Sequence, residues 1–321
     1  MATDRSVDFY RFDDALSDEE RGVRRTVRRF VEDRLLPVVR EHFAAGTFPV
    51  ELVPELGALG LLGTHVTGPG GPGLSAVAYG IICEELERGD SGLRSFASVQ
   101  GSLVMWPIAT YGSDEQRERW LPDLAAGRKI GCFGLTEPDH GSDPGAMKTT
   151  ATRDGDDWIL RGNKLWITNA DLADVAVVWA RCEEGVAGFL VEKGTPGFSA
   201  NPIHGKFSLR ASDTGELVFD EVRLPESSRL PEAKGLRAPL GCLNQARYGI
   251  AWGAIGAAED CYETALRYAQ ERHQFNQPIA SFQLVQRKLV IMLTEIVKAQ
   301  GLCLQLGRLK EDGIDEAPLV S

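Results

Sequence analysis

No stretch of this sequence approaches the uninterrupted apolar length that a membrane span requires, and the first twenty residues, acidic from Asp4 onward, lack the apolar core of a signal peptide. Export and organelle import are not expected, and a cytoplasmic location is. Positive charge is in short supply: 35 Lys and Arg stand against 46 Asp and Glu, a formal net charge of −11. Phosphate backbones need a basic surface, so nucleic acid is excluded as a partner, and an acidic small ligand would require locally placed cations. Paired cysteines are missing too. Cys83, Cys132, Cys182, Cys242, Cys261 and Cys303 lie singly among apolar neighbours with no C-x-x-C, the pattern of reduced thiols in a cytosolic-type compartment. There is no internal repeat and no low-complexity segment.

What is present suits a soluble globular chain of two or three domains: 321 residues, 43% apolar and 25% charged. Ser17-Asp18-Glu19-Glu20 forms a capping box ahead of Val23, Val27, Phe30, Val31 and Leu35, predicting a helix to about Pro37. Pro49 opens and Gly60 closes a second helix. After a Gly/Pro loop at Gly68–Gly73, Val77, Ile81, Ile82 and Leu86 mark a third, and Phe96, Val99, Leu103 and Val104 a fourth. Ser113-Asp114-Glu115-Gln116 repeats the capping box before Trp120 and Leu124. Residues 1–125 thus read as a helical domain.

From Ile130 the period changes. Runs rich in Val, Trp, Phe and Thr at 158–160, 175–179, 188–191 and 216–219, with turns at Asp154-Gly155 and Glu184-Gly185, predict a middle antiparallel β domain over residues 126–231. Two long helical patterns follow within 232–321. The first runs from about Leu240 to Glu271 with Leu243, Ile250, Ala254, Ala258, Ala265 and Tyr268 inward. The second runs from about Ser281 to Lys310 with Val285, Leu289, Met292, Ile296, Leu302 and Leu306 inward. Two such helices are half a bundle and need further helices from this chain or a neighbour. Asp315, Glu316 and Pro318 read as the start of another helix where the sequence stops. The fold class expected is α+β and multidomain, with the C-terminal helical bundle incomplete.

The chain is organised around Ile130 to Ala170. An apolar run enters the turn Thr136-Glu137-Pro138-Asp139-His140-Gly141-Ser142-Asp143-Pro144-Gly145, and Lys164-Leu165-Trp166-Ile167-Thr168-Asn169 follows. Such a turn frees backbone N–H groups for an oxygen-rich ligand, and Trp166 offers a flat face beside the Thr168 hydroxyl, a combination that suits a flavin. On composition alone the stretch is equally a structural turn, and Thr168 an edge-strand hydroxyl. The strings GCFGLTEPDHGSDPGAM and KLWITNA, in this order, resemble the flavin-binding signature of the acyl-CoA dehydrogenases, most nearly the glutaryl-CoA branch.

That resemblance implies FAD as cofactor and an α domain, β domain and α bundle assembled as a homotetramer. Phe133, Gly134, Leu135, Thr136, Ser142, Trp166, Ile167 and Thr168 would line the flavin, with Ser142 also near the substrate. Arg272, Phe275 and Gln283, between the long helices, would grip the FAD diphosphate and adenine; a lone Arg at a helix C-terminus is otherwise structural. Leu240, Gly241, Cys242, Leu243, Asn244, Gln245, Ala246 and Arg247 would line the acyl-CoA channel, unless they are a plain first helical turn. Arg94 would pair the distal carboxylate of glutaryl-CoA, with Glu87, Ser95 and Ser98 completing the pocket; the alternative is an Arg in a solvated turn. Leu93 and Gly101 depart from the Tyr and Ser of that branch. The reaction implied is dehydrogenation with loss of CO2 to give crotonyl-CoA, electrons passing to an electron-transfer flavoprotein. No catalytic residue is assigned. The branch keeps its base Glu in a Tyr-Glu-Gly-Thr stretch expected beyond Ser321, and other relatives place it where Ala246 stands. The chain as given is therefore expected to be nearly inactive. The competing readings are another short-chain or dicarboxylyl acyl-CoA dehydrogenase and a truncated, non-catalytic flavin- or CoA-binding protein.

Overall fold

The computed structural model describes residues 8, 10–314 and 318–320; the helix start expected at Asp315 and Glu316 lies outside them. In chain order come α1 (Asp18–Phe30), α2 (Leu36–Ala45), α3 (Val53–Ala58), a short ribbon β1 (Thr67–Gly68) and β2 (Gly71–Pro72), α4 (Ala76–Gly89), α5 (Ser91–Ser98), α6 (Trp106–Tyr111) and α7 (Asp114–Ala125). Strands follow: β3 (Gly131–Gly134), β4 (Thr150–Asp154), β5 (Asp157–Thr168), β6 (Val175–Cys182), β7 (Gly185–Glu192), β8 (Phe198–Pro202) and β9 (Thr214–Pro225). The long α8 (Arg237–Glu271), a hairpin of β10 (His273–Gln274) and β11 (Gln277–Pro278), and α9 (Gln283–Glu311) complete the order.

Both capping boxes form, Ser17 with Glu20 and Ser113 with Gln116. The first helix does not stop at Pro37. A π turn at Val31–Leu35, closed by the Leu36 N–H on the Val31 carbonyl, admits the proline, and helix resumes to Ala45. Val99–Met105 repeats the device ahead of Pro107. The wider turn gives room to a ring that would otherwise meet the carbonyl four residues back.

The contacts divide the chain into two compact units that cut across chain order. The first comprises Met1–Pro37, Ser75–Ser91 and Arg247–Ser321. Its core gathers Val77, Ile81, Tyr248, Trp252, Ile255, Tyr262, Ile296 and Leu306. Within it α4 and α8 approach closely: a Cβ on Gly256 would lie 1.8 Å from the Glu84 carbonyl oxygen. The expected phase of α8 is wrong in part, because Ile250, Ala254 and Tyr268 are exposed while Tyr248, Trp252, Ile255 and Tyr262 are buried. Leu302 of α9 is likewise exposed. Both helices carry apolar residues around more than one face, so periodicity alone does not choose the face packed within the unit. By length and composition alone α9 passes for a membrane-crossing helix, but Arg287, Lys288, Glu295 and Lys298 interrupt its apolar run, in keeping with the expectation from the sequence. Leu289, Met292, Ile296 and Leu306 of that helix pack in the unit's core, and Glu295 pairs with Lys298 on its surface.

The second unit comprises Val38–Leu74 and Gly92–Ala246. Among the described residues it holds a seven-stranded sheet ordered β3-β6-β4-β5-β9-β8, with β7 on β6. The sheet is mixed rather than antiparallel throughout. β3 pairs parallel with β6, Gly131 opposite Val175, and β4 meets β6 in parallel at Thr150 and Arg181. The β4–β5 hairpin between β3 and β6 is long enough to allow the crossover that a parallel pair needs. β4 and β8 carry no apolar run in the sequence and form nonetheless, β8 as an exposed edge ending in Pro202. β6 alternates strictly. Val175, Val177 and Trp179 join one core with Ile108, Trp120 and Phe133, and Ala176, Val178 and Ala180 join another with Trp158, Phe189 and Leu217.

Candidate functional site

The organising stretch is built in the second unit from β3 and β5. Leu165 N–H donates to the Thr136 carbonyl at 2.9 Å, which ties the end of β3 to β5. Between Lys164 opposite Leu217 and Ile167 opposite Gly215 the register of β5 on β9 shifts. Trp166 sits in this bulge with φ 62°, and its indole remains 60% exposed. A bulky residue at positive φ is strained, and here the strain turns an aromatic face outward from the sheet.

Beside the indole lies a cleft of about 540 Å³ lined by Ser95, Trp166, Thr168, His204, Lys206 and Thr214 among others. Its far wall is the loop before β9. Lys206 donates to the Ser212 carbonyl at 2.6 Å and to Thr214 Oγ1 at 2.7 Å, while burial lowers its pKa. Arg210 pins the loop by donating to the carbonyls of Phe43, Ala44 and Lys206. Phe207 at the loop tip is fully exposed.

Under the turn is a buried ion pair. Lys164 Nζ donates to Glu137 Oε1 at 2.9 Å and to the Leu135 carbonyl at 3.1 Å. Glu137 also accepts the backbone N–H groups of Lys148 and Thr149. Burial pushes the Glu137 carboxyl up, but the donors Lys148, Lys164 and Thr149 outweigh it and hold the pKa at about 2. Burial lowers Lys164, with Glu137 working against it. The two backbone donors favour the carboxylate whatever Lys164 does, so Glu137 is ionised and the ammonium is its counter-charge.

The expected site residues distribute as follows. Ser95, Trp166 and Thr168 meet at the cleft. Phe133, Leu135 and Ile167 turn their side chains into cores, and Gly134 is buried in β3. Thr136 is half-buried and Ser142 is exposed on the turn, outside the cleft lining. Arg94 and Ser98 are buried on α5. Leu240–Ala246 belongs to this unit, in the first turns of α8, with Cys242 and Ala246 buried and Gly241, Leu243, Asn244 and Gln245 half-buried. Glu87, Arg247, Arg272, Phe275 and Gln283 belong to the first unit. There Phe275 and Asn276, at φ 54° and 64°, close the β10–β11 hairpin as a two-residue turn that leaves the Phe275 ring 88% exposed. Sequence reasoning missed His204 and Lys206, and it quoted Glu137 and Lys164 without a role. Lys164 had a signal: it falls on the inward face of a strand that also presents Trp158 and Leu160, where a lysine demands a partner.

A helical region, a mixed β region and a long helical pair, with an exposed indole beside a hydroxyl-lined cleft, define a flavin-linked dehydrogenase architecture. The chain belongs to the acyl-CoA dehydrogenase family: the family's N-terminal, middle and C-terminal domain models match residues 17–128, 132–222 and 233–321. It is similar to the crystal structure of glutaryl-CoA dehydrogenase from Mycobacterium smegmatis, at 59% identity and TM-score 0.95 over 96% of this chain and 80% of that one. A glutaryl-CoA dehydrogenase from the same organism in complex with FADH2 matches at 54% and TM-score 0.96, covering 98% and 82%. Among curated relatives, the mitochondrial short-chain specific acyl-CoA dehydrogenase of Rattus norvegicus is 37% identical over 92% of this chain and 74% of its own. Acyl-CoA dehydrogenases are FAD-dependent. The residues present fit the ring of that cofactor, since the outward indole of Trp166 and the Thr168 hydroxyl offer a flat face and a polar edge at one cleft.

Proposed function

We propose that this chain serves the FAD-dependent α,β-dehydrogenation of an acyl-CoA thioester, with glutaryl-CoA as substrate and crotonyl-CoA and CO2 as products. The observation that carries the reading is Arg94, 7% exposed on α5 and next to Ser95, which opens onto the Trp166 and Thr168 cleft. Arg94 itself is not among the residues that line the cleft; a guanidinium reaching the inner end of an acyl site would answer a carboxylate at the far end of the acyl chain. Similarity to the two glutaryl-CoA dehydrogenase structures supports it.

When bound, FAD would supply the acceptor for the hydride that leaves the acyl β-carbon. Trp166 and Thr168 would hold the ring's face and edge, and Arg272, Phe275 and Gln283 would hold its diphosphate and adenine end. Arg94 orients the distal carboxylate, Glu87, Ser95 and Ser98 sharing that task, and Asn244 and Arg247 hold the CoA channel, with Ser142 beside it. Proton abstraction at the α-carbon is assigned to no residue here: Ala246, at one position the family uses, has no group to take up a proton. Electrons are proposed to leave to an electron-transfer flavoprotein. A homotetramer is the proposed assembly, supported by the exposed apolar residues Ile250, Leu284, Ile291 and Leu302 on α8 and α9.

Similarity to the rat enzyme favours a second reading, a short-chain acyl-CoA dehydrogenase without decarboxylation. The test is flavin bleaching and CO2 release with glutaryl-CoA against butyryl-CoA, using FAD-loaded protein that carries Ala246→Glu, which puts a base at the one position within this chain that the family uses. Bleaching with CO2 from glutaryl-CoA alone supports the proposal. Equal bleaching by butyryl-CoA supports the second reading, and bleaching by neither leaves a binding protein.

A further inference from the structure

The strand that leads into the flavin turn is held at both ends by buried polar side chains. At its start, Gln100 accepts the Gly131 N–H at 2.9 Å and Asn169 donates to the Gly131 carbonyl at 3.1 Å. At its end, Lys164 donates to the Leu135 carbonyl and pairs with Glu137. Gln100 and Lys164 are fully buried, and Asn169 and Glu137 nearly so. Lys164 directly precedes the bulge that turns Trp166 outward, and Glu137 directly follows Thr136. The Leu165 to Thr136 backbone bond runs between them. One ion pair therefore fixes Thr136 and Trp166 with respect to each other.

We propose that Glu137 and Lys164 are positioning residues for the flavin, touching none of it and setting the spacing of Thr136 and Trp166 on which its affinity depends. The inference rests on the assignment of those two residues to FAD. A carboxylate suits the task because Glu137 gathers two backbone N–H groups and an ammonium at once, more than a neutral amide can accept with equal strength. The pair adds no net charge, so its work is geometric.

The test titrates FAD into the apo form of the full chain by flavin fluorescence, at a temperature well below its melting point. Wild type is compared with Glu137→Gln and Lys164→Met, and each melting curve is recorded without FAD. Failure of wild type to bind FAD overturns the flavin assignment itself. Given a wild-type complex, affinity weakened by roughly tenfold or more in variants that still melt cooperatively is the expected result. Folded variants that bind within about twofold of wild type overturn the inference and leave the flavin assignment standing. Should either variant not fold, Glu137→Asp retains the charge and shortens its reach. Weaker FAD binding by that variant, with altered fine structure in the flavin absorption band, supports the positioning role, and unchanged affinity with an unchanged band overturns it.

Discussion

Two buried charge clusters, one in each unit, are balanced differently. In the second unit Lys164 meets Glu137 one to one, with two backbone donors besides. In the first unit three guanidiniums, Arg24, Arg28 and Arg88, meet five carboxylates, Asp13, Glu84, Glu85, Glu259 and Glu263. Arg24 donates from one nitrogen to both oxygens of Glu84 at 3.0 Å, and Arg28 grips Glu85 with two bonds of 2.9 and 2.7 Å. Glu259 is left with a long 3.4 Å contact to Arg88 and the amide of Gln300 at 2.6 Å. Burial, then the neighbouring Glu84, push the Glu259 pKa up to about 8, and burial also raises Glu84. The matched pair is ionised at neutral pH and the surplus carboxylate of the larger cluster keeps its proton. Burial, a neighbouring carboxylate and a long contact to its guanidinium partner Arg88 together set Glu259 apart from the tightly held Glu137.

The largest effect should come from removing the shared cation. Arg24→Met strips Glu84 and Glu85 of a common partner in a dry site, and a loss of about 3–5 kcal/mol is expected as a lower urea midpoint. The functional counterpart is Arg94→Gln, expected in an Ala246→Glu background to reduce kcat/KM on glutaryl-CoA by roughly 10²–10³ while sparing butyryl-CoA, measured on FAD-loaded protein. Loss of both activities in parallel would remove the carboxylate reading of Arg94.

The pH dependence separates the clusters by sign. The folded chain keeps the Glu259 proton after the unfolded chain releases it, so this group's contribution falls as pH rises from its ordinary value of 4.5 to about 8, and is level above. Glu137 acts the other way, its contribution present above 4.5 and lost as pH falls toward about 2. The folding constant obtained from urea unfolding should decline by up to about tenfold per pH unit from about pH 5 to about 8 and level off by about pH 9, and Glu259→Gln should flatten that decline. A wild-type profile already flat over this range would show the network balanced. The smallest effect expected is the loss of a cap: Ser17→Ala and Ser113→Ala should each cost about 1 kcal/mol by thermal melting. A larger loss at Ser17 would show that Glu20, which the cap shares with Arg308, couples it to the packing of α9.

Features written in local sequence were legible. The capping boxes, the helix-to-strand change near Ile130 and the flavin signature each lie within a few consecutive residues. Features that depend on distant partners were not. The face of α8 that packs is chosen by Ile81, Ile296 and their neighbours, and an apolar pattern on two sides does not announce the choice. The helix continued past Pro37 because a π turn opened one turn upstream, for which the residues 31–35 carry no distinctive code. Lys206 entered the cleft through loop geometry alone. Glu137 and Lys164 lay inside the quoted motifs, yet their pairing joins residues 27 apart and shows only in three dimensions.

The contact at Gly256 bears on how this sequence can drift. Glycine's hydrogen is all that fits between α8 at 256 and the Glu84 carbonyl of α4, and Arg88 reaches across the same pair of helices to Glu259 and Glu263. Adding a single methyl group at 256 would force α8 off α4 and stretch both Arg88 pairs at once, while Arg24 and Arg28 hold Glu84 and Glu85 from α1. The cluster can be inherited or replaced as a block, but its members have little freedom to change one by one.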